Sequence, residues 1–193
     1  MNRRLTILFG SALMLAGAAV LGVYWWNLRD AAQAQQWGRE LLSRARVRPA
    51  PAGSAPALAH AIRRGDAVGE LDIPRLHVSV VIFEGDDARI LRLGAGHVPG
   101  TALPPGKGNV AIAAHRDTFF RPLRDIHAND EITLRTPAGT FQYRVTQTKI
   151  VPPSNVQVLD PAPGRDLTLV TCYPFYYVGD APQRFIVHAR KTG

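Results

Sequence analysis

The sequence predicts a mainly β domain, built as a closed or nearly closed barrel of seven or eight short strands with short helices, preceded by an N-terminal transmembrane helix. Three observations lead to this prediction. Residues 5–26 form an uncharged run of 22 residues. From residue 68 onward, short apolar segments alternate with turn residues, and helical periodicity is rare. Many short strands separated by turns are typical of β-barrels.

The first element is the apolar run at residues 5–26, which as a helix extends about 33 Å and crosses a bilayer. Arg3 and Arg4 precede it, and interfacial aromatic residues end it at Tyr24, Trp25 and Trp26. Residues 32–34, Ala-Gln-Ala, resemble a signal-peptidase site, but the run is longer than an ordinary signal-peptide core. We therefore expect a signal anchor, with residues 1–4 in the cytoplasm.

Charge is distributed unevenly along the chain. Residues 1–64 contain nine Lys or Arg and two acids, a net charge of +7, whereas residues 65–193 contain fourteen against thirteen, a net of +1. The positive charge therefore lies beside the anchor, where it suits anionic lipid, and we expect no nucleic-acid partner. Arginines after the run outnumber those before it, which opposes an external domain. Because long C-terminal domains translocate largely regardless of charge, we still expect the domain outside the cytoplasmic membrane.

The stretch at residues 27–57 connects anchor and domain. Residues 30–46 have apolar side chains at helical spacing and predict an amphipathic juxtamembrane helix, either a spacer or a docking element. Residues 48–57 are rich in Pro and Ala and predict a semi-extended linker. The catalytic domain is expected at residues 58–193.

Within that domain the strands follow one another with turn residues between them. Ala88–Leu93 predicts a short helix ended by Gly94. Residues 137–139, Pro-Ala-Gly, predict a turn between two paired strands. The predicted strands are residues 69–73, 77–83, 109–114, 131–135, 140–147, 167–171 and 184–189.

Cys172 is the single cysteine, so the chain forms no internal disulfide and no cysteine-based zinc site. It ends the apolar strand 167–171 and precedes the aromatic, turn-rich stretch 173–179. A thiol at a strand end beside a loop is accessible to substrate, whereas a free cysteine taken at random is commonly a small buried hydrophobe. Its position alone leaves both roles open.

His115 also ends a predicted strand, 109–114, and opens a charged segment. A Cys–His pair performs acyl transfer when the thiolate attacks a carbonyl and the imidazolium protonates the departing amine. Satisfied surface or core positions are expected for the other five histidines, with His97 in a Gly-rich loop and His77 early in a strand. The remaining three are His60, His127 and His188.

Arg184 starts the last predicted strand, twelve residues after Cys172, and a hairpin of that length returns it to the same end of the sheet. A guanidinium there offers fixed donors to a developing oxyanion. A surface arginine is the alternative that this argument leaves open.

Five segments together resemble the sortase family of cysteine transpeptidases. Residues 168–172 (TLVTC) resemble its TLxTC signature, residues 114–120 (AHRDTFF) its histidine segment, and residues 184–187 (RFIV) its arginine strand. Residues 69–74 (GELDIP) and 94–104 (GAGHVPGTALP) resemble two further segments. The segments HRDTFF and TCYPFYYVG are most similar to those of class D sortases.

The resemblance implies an eight-stranded sortase barrel that cleaves a C-terminal LPxTG-like sorting signal through a thioacyl intermediate on Cys172. The acyl group then passes to an amine, either cell-wall peptide or a protein lysine. It implies His115 as acid then base, Arg184 on the oxyanion, and Thr171 shaping the substrate site. No cofactor and no metal are expected, and we expect Asp125, Asp130 and Glu131 to be solvated acids, since their spacing does not match a calcium loop.

Two other functions remain open from sequence. A hydrolytic cysteine peptidase shares every catalytic residue and differs only in passing the acyl group to water. A membrane-tethered binding module with an inert Cys172 retains peptide binding after Cys172→Ala.

Overall fold

A closed barrel of eight strands forms the domain in the computed structural model, which describes residues 3–47, 62–161, 164–177 and 179–192. The strand order around the barrel is β1-β2-β3-β4-β7-β8-β6-β5, and pairing of β1 with β5 closes it. The strands are β1 Ala67–Ile73, β2 Val78–Glu84, β3 Ala95–His97, β4 Gly108–Ala113, β5 Glu131–Thr136, β6 Gly139–Val151, β7 Arg165–Tyr173 and β8 Gln183–Lys191. The helices are α1 Arg3–Val47 and α2 Ala88–Leu93, with 3₁₀ turns at Pro74–Leu76, Arg121–Asp125 and Val156–Leu159.

All seven predicted strands are present, and the predicted barrel is confirmed. The expected turn joins β5 to β6, where Thr136 pairs with Gly139. β6 is longer than predicted because its second half, up to Val151, pairs with β8 instead of β5. β7 also extends further than predicted, to Tyr173, so Cys172 lies one residue inside the strand end.

The eighth strand, β3, was missed, and with it the environment of two histidines. His97 lies in β3 and not in a loop; it is 3% exposed, and its Nδ1 lies 2.7 Å from Glu84 Oε2. His77 precedes β2 instead of belonging to it, in a left-handed conformation with φ of 53° at the end of the 3₁₀ turn. Three-residue strands give too short a pattern for period-2 alternation to reveal them.

Alternating side chains of the strands fill the barrel interior, as the period of two requires. Leu167 and Leu169 of β7 are fully buried, as are Val187 of β8 and Ile112 of β4. Further members of this core are Leu71, Ile73, Val80, Ile82, Phe120, Leu123, Ile132, Leu134 and Tyr143. The interior is therefore a packed apolar core, which leaves the outer face of the sheet for ligands.

Asp130 does not have the solvated position that we expected. It is 8% exposed, and its carboxylate accepts hydrogen bonds from Arg75 at 2.5 Å and from the backbone N–H of His127 at 2.8 Å. These donors, chiefly Arg75, lower the pKa of Asp130. Asp125 and Glu131 are exposed, as predicted.

One continuous helix, α1, joins the two N-terminal segments that the sequence predicted separately. Its apolar part is solvent-exposed, and among the described residues it is the one helix long and apolar enough to cross a membrane. The predicted linker at residues 48–57 and the predicted boundary at residue 58 lie outside the described residues.

The C-terminal part of α1 packs on the barrel and on α2. Leu42 is 2% exposed and joins Val81, Phe83 and Ile90 in a second apolar cluster outside the barrel core. Gln35 is 8% exposed; its Oε1 accepts from the Val81 backbone N–H at 2.8 Å. The sequence left spacer and docking element open, and these contacts correspond to docking.

Two further contacts hold α1 in place. Gln35 Nε2 donates to the Leu93 carbonyl at 2.9 Å, so the same side chain bonds β2 and the end of α2. Arg39 Nε lies 2.9 Å from Glu70 Oε1. We call this contact region, formed by residues 30–42 of α1 with β1, β2 and α2, the docked face.

Candidate active site

A groove of about 370 Å³ on the outer face of the barrel brings together four residues that the sequence singled out. They are Cys172, His115, Arg184 and Thr171. Val170 and Ile186 form part of its floor. We call this cavity the candidate groove.

Cys172 and Arg184 face each other across adjacent strands. β7 and β8 are antiparallel, and Cys172 is the register partner of Arg184. Cys172 lies on the same side of β7 as Val170, opposite the fully buried Leu169, because side chains alternate along a strand. The thiol and the guanidinium therefore project from neighbouring positions on the outer face, as the hairpin argument predicted.

His115 reaches the same level through a parallel pair. β4 and β7 run parallel, with Ala113 in register with Val170, so His115 and Cys172 each lie two residues further along neighbouring strands. The Ala114 backbone N–H donates to the Val170 carbonyl at 3.2 Å, which continues the pairing past the end of β4. Parallel neighbours place successive strand ends at one edge of a sheet.

Thr171 fastens the strand end next to His115. Its side chain is buried, at 2% exposure, and its hydroxyl donates to the Ala114 carbonyl at 2.7 Å. Ala114, the residue before His115, is thus held at both its backbone N–H and its carbonyl.

The reactive groups of the groove are not engaged by the protein. Among the residues that the structure describes, neither the Cys172 thiol nor the His115 ring has a hydrogen-bond partner, and both residues are partly exposed. Arg184 uses Nη1 for the carbonyls of Ala181 at 3.2 Å and Gln183 at 3.0 Å. These two bonds orient the guanidinium and leave its other nitrogens for a ligand.

The apolar wall of the groove was not predicted. It comes from the segment between β6 and β7, whose 3₁₀ turn Val156–Leu159 contains three apolar residues, and Val156 is 64% exposed. Val151 and Pro153 continue this wall, and Leu91 and Val98 line the opposite side. The sequence signal that could have predicted this wall is the group of apolar residues in a segment that is preceded by Pro and Asn.

Two arginines tie the loop after Cys172 to the segment after His115. Arg116 Nη2 donates to the carbonyls of Tyr177 at 2.7 Å and Gly179 at 2.9 Å. Arg124 lies 5.6 Å from the centre of the Tyr176 ring and also hydrogen-bonds its hydroxyl. The aromatic loop beside Cys172 is therefore fixed relative to the chain that carries His115.

The other histidines lie away from the groove. His188 faces a separate polar cavity, next to Thr168 at 3.2 Å, and burial lowers its pKa, with Lys149 adding to the effect and Asp166 opposing it. His127 Nδ1 lies 3.0 Å from Arg75 Nη2. His60 is outside the described residues. Across the described part of the chain, no group of three or more His, Cys, Asp or Glu side chains is arranged to hold a metal ion.

Comparison with known proteins gives consistent results over this region. The family model described as the sortase domain matches residues 71–192. Sortase D of Bacillus subtilis (strain 168) is 36% identical over 129 residues, which cover 66% of this chain and 65% of that protein.

Two solved structures share the barrel. A sortase D5 transpeptidase of Clostridium perfringens is 32% identical, with a TM-score of 0.63 and coverage of 68% of this chain and 82% of that one. Sortase E1 of Streptomyces coelicolor, solved with a tripeptide in its active site, is 32% identical, with a TM-score of 0.61 and coverage of 66% and 88%.

The chain spans less than two thirds of the length of the first relatives found by sequence, so those proteins extend beyond the shared region. The family model nevertheless covers more than half of this chain, and its range includes His115, Cys172 and Arg184. The barrel and the sequence match both indicate the same origin, and the chain belongs to the sortase family.

Proposed function

We propose that this chain is a membrane-anchored cysteine transpeptidase, which cleaves a C-terminal LPxTG-like sorting signal and joins the new carboxyl end to an amine. The observation that carries this proposal is the convergence of Cys172, His115 and Arg184 in one groove, with Cys172 and Arg184 in direct register.

In the first half of the reaction, the Cys172 thiolate attacks the carbonyl carbon of the scissile peptide and forms a carbon–sulfur bond. Arg184 donates hydrogen bonds to the oxygen on which negative charge develops. The carbon–nitrogen bond then breaks, and the His115 imidazolium gives its proton to the departing amine. A thioester on Cys172 and a neutral His115 remain.

In the second half, an acceptor amine attacks the thioester carbonyl and His115 takes the proton that the amine loses. The carbon–sulfur bond breaks, the Cys172 thiolate leaves, and both side chains return to their starting charge states. Arg184 donates hydrogen bonds to the negatively charged oxygen of the second tetrahedral intermediate in the same way. The acceptor is a cell-wall peptide amine or a protein lysine.

The walls of the candidate groove support an apolar substrate segment. Val156, Leu159 and Pro153 offer apolar surface in the groove, which suits the Leu and Pro of an LPxTG-like signal. Thr171 lines the groove, and we assign it a role in shaping the substrate site through its bond to the Ala114 carbonyl.

We assign the barrel to the extracytoplasmic side of the membrane, with α1 as the single span. The length and composition of α1 support the anchor. An acyl acceptor in the cell envelope requires this orientation, although the arginines after the span outnumber those before it.

Intact-mass spectrometry of the full chain in nonionic micelles tests the proposal. The chain is incubated with a panel of LPxTG-like peptides and then with diglycine. We expect an acyl adduct that is absent from Cys172→Ala and that moves to diglycine. His115→Ala should form almost no adduct, whereas the exposed control His127→Gln should form it normally.

The two other functions give different results in the same assay. An adduct that passes to water at the same rate with and without diglycine indicates a hydrolytic peptidase. If the protein binds the peptides but the Cys172 thiol is never acylated, the chain is a binding module, and the transpeptidase proposal is overturned.

A further inference from the structure

A buried histidine that the proposed reaction does not use adjoins the candidate groove. His97 is 3% exposed at the end of β3, and the next residue, Val98, lines the groove. The His97 carbonyl accepts from the Gly85 backbone N–H at 3.0 Å, and Gly85 is followed by Asp86, which also lines the groove. His97 therefore contacts or precedes two separate pieces of the groove wall without lining the groove itself.

Both ring nitrogens of His97 face groups that accept hydrogen bonds. Nδ1 lies 2.7 Å from Glu84 Oε2, and Nε2 lies 3.1 Å from the carbonyl oxygen of Ala102. A carboxylate and a carbonyl have no hydrogen to donate, so each contact requires a hydrogen on the ring nitrogen. A neutral imidazole has one N–H and sets a lone pair against the other acceptor, whereas an imidazolium satisfies both.

Thr101 adds a third acceptor at the same ring. Its hydroxyl donates to the Val98 carbonyl at 2.8 Å, and its Oγ1 lies 3.0 Å from His97 Nε2. Because the hydroxyl hydrogen is directed to Val98, Oγ1 accepts from Nε2–H. The ring is therefore bonded through Nε2 to both Thr101 and Ala102, which belong to the turn that begins at Val98.

Glu84 is the one charged partner of this ring among the described residues. β2 and β4 both pair with β3; Glu84 is the one ionisable residue of β2, and β4 has none. The segments that flank β3, residues 85–94 and 98–107, have ionisable side chains, and none of these forms a hydrogen bond or an ion pair with the ring. They are Asp86, Asp87, Arg89, Arg92 and Lys107. The charge on the ring is therefore balanced by Glu84 alone.

We infer that His97 is an imidazolium paired with Glu84, and that this pair positions the Val98 side of the candidate groove for the peptide substrate. The bond from Nδ1 joins the ring to the end of β2, and the bonds from Nε2 join it to the turn after β3. One side chain thus holds two segments that meet at the groove wall. For its substrate, this inference rests on the proposed function.

Loss of the ring proton should weaken substrate binding and leave the chemical step intact. A neutral ring keeps a single N–H, so it separates either from Glu84 or from the turn, and in both cases Val98 loses its fixed position. Cys172 and Arg184 lie on β7 and β8, which the ring does not contact. His97 is therefore a positioning residue, whose effect is expected on KM and not on kcat.

Nitrogen-15 NMR of the histidine rings tests the proton directly, without turnover. The full chain in nonionic micelles is labelled at its six histidines, and the His97 signals are those missing from His97→Gln. We expect N–H signals from both Nδ1 and Nε2 in the parent at pH 7, and from Nε2 alone in Glu84→Gln. In that variant the new amide N–H donates to Nδ1, so a neutral ring keeps both contacts.

The pH dependence of peptide cleavage tests the positioning role. KM and kcat for an LPxTG-like peptide are measured between pH 6 and pH 9.5 in the parent and in Glu84→Gln. Cys172 and His115 titrate in both chains, so the ratio of the two KM values isolates the Glu84–His97 pair. We expect the parent KM to rise about fivefold relative to Glu84→Gln over this range, as one hydrogen bond is lost, with a constant ratio of kcat. The exposed control Glu131→Gln should keep a constant ratio of KM to the parent.

Two results overturn the inference while the proposed function stands. A single N–H on the His97 ring of the parent removes the imidazolium, because the second hydrogen then lies on Glu84 or is absent. Two N–H signals with a KM ratio that stays flat from pH 6 to pH 9.5 mean that the pair holds the fold and does not position the groove. A parent chain that cleaves no peptide rejects the proposed function and the substrate named here, and the NMR spectrum still decides whether His97 carries both hydrogens.

Discussion

The docked face and the candidate groove differ in how their polar groups are paired. At the docked face, Gln35 satisfies two backbone groups with its two amide atoms, and Arg39 and Asp30 each have an ion partner. In the groove, Cys172 and His115 have no partner among the described residues.

This difference separates a structural surface from a ligand surface. Polar groups that serve packing are satisfied within the protein, because leaving them unpaired is costly. Polar groups that serve a ligand are held in position but left available, as Arg184 is by two carbonyls that occupy one of its nitrogens. Substitutions in the two regions should therefore affect different measurements: turnover at the groove and stability at the docked face.

The largest expected effect is that of Arg184→Lys on turnover. An ammonium cannot present the planar fork of donors, so we expect kcat for peptide cleavage to fall about 10²- to 10³-fold with the thermal midpoint little changed. The control is Arg190→Lys on the same strand, where the side chain is 76% exposed. A kcat near the parent value in Arg184→Lys would contradict the oxyanion role.

Gln35→Ala should show the opposite pattern at the docked face. It leaves the Val81 N–H and the Leu93 carbonyl without their partner, at a cost of about 1–3 kcal/mol in the free energy of unfolding. The loss is limited by the free energy of docking, because α1 can detach and expose both groups to water. Denaturant unfolding of the full chain in micelles measures it, and the exposed neighbour Gln36→Ala should lose almost nothing.

Gly38→Ala tests how closely α1 approaches β2. A Cβ at Gly38 would lie 2.6 Å from Val81 Cγ1, and a β-branched side chain in a buried strand cannot move away easily. Alanine normally favours a helix by about 0.5–1 kcal/mol over glycine. We expect overpacking to outweigh that gain and to give a net loss of about 1 kcal/mol. Gly17→Ala, with nothing within 4 Å, should not destabilise, and a stabilised Gly38→Ala would mean that α1 does not dock.

Much of this architecture was predictable from sequence, because it depends on local signals. Alternation and turn residues predicted seven strands, and the same pattern placed Cys172 and His115 at strand ends beside loops that substrate can reach. The partnership of Cys172 with Arg184 followed from the hairpin length, and their register confirms it.

The remainder depends on contacts between distant segments, which no local pattern encodes. Gly94 ends α2 as predicted, but its φ of −175° is ordinary extended backbone, which any residue can adopt. Glycine is needed there because a Cβ would lie 2.6 Å from the Val81 carbonyl and 2.7 Å from Gln35 Nε2. Likewise, Asp130 is buried where Arg75, 55 residues away in the sequence, folds against it.

The smallest expected effect concerns Asp87, which caps α2 at its N-terminus. Its carboxylate accepts from Arg64 and from the backbone N–H groups of Arg89 and Ile90. Arg64 is the main cause that lowers the pKa of Asp87 to about 2, while partial desolvation opposes the shift. In the unfolded chain this pKa is about 3.9.

A lowered pKa means that the folded state binds the proton less readily than the unfolded state, so this carboxylate stabilises the fold above about pH 4 and loses that contribution as the pH falls toward 2. Asp87→Asn keeps a good cap without the charge. We expect the thermal midpoint of the parent chain to exceed that of Asp87→Asn by about 2–4 °C at pH 6, and the two midpoints to converge near pH 2. Asp86→Asn, at the exposed neighbouring position, should differ from the parent by a smaller amount at pH 6. A difference for Asp87→Asn that stays constant between pH 6 and pH 2 would mean that its charge does not support α2, and that only the cap does.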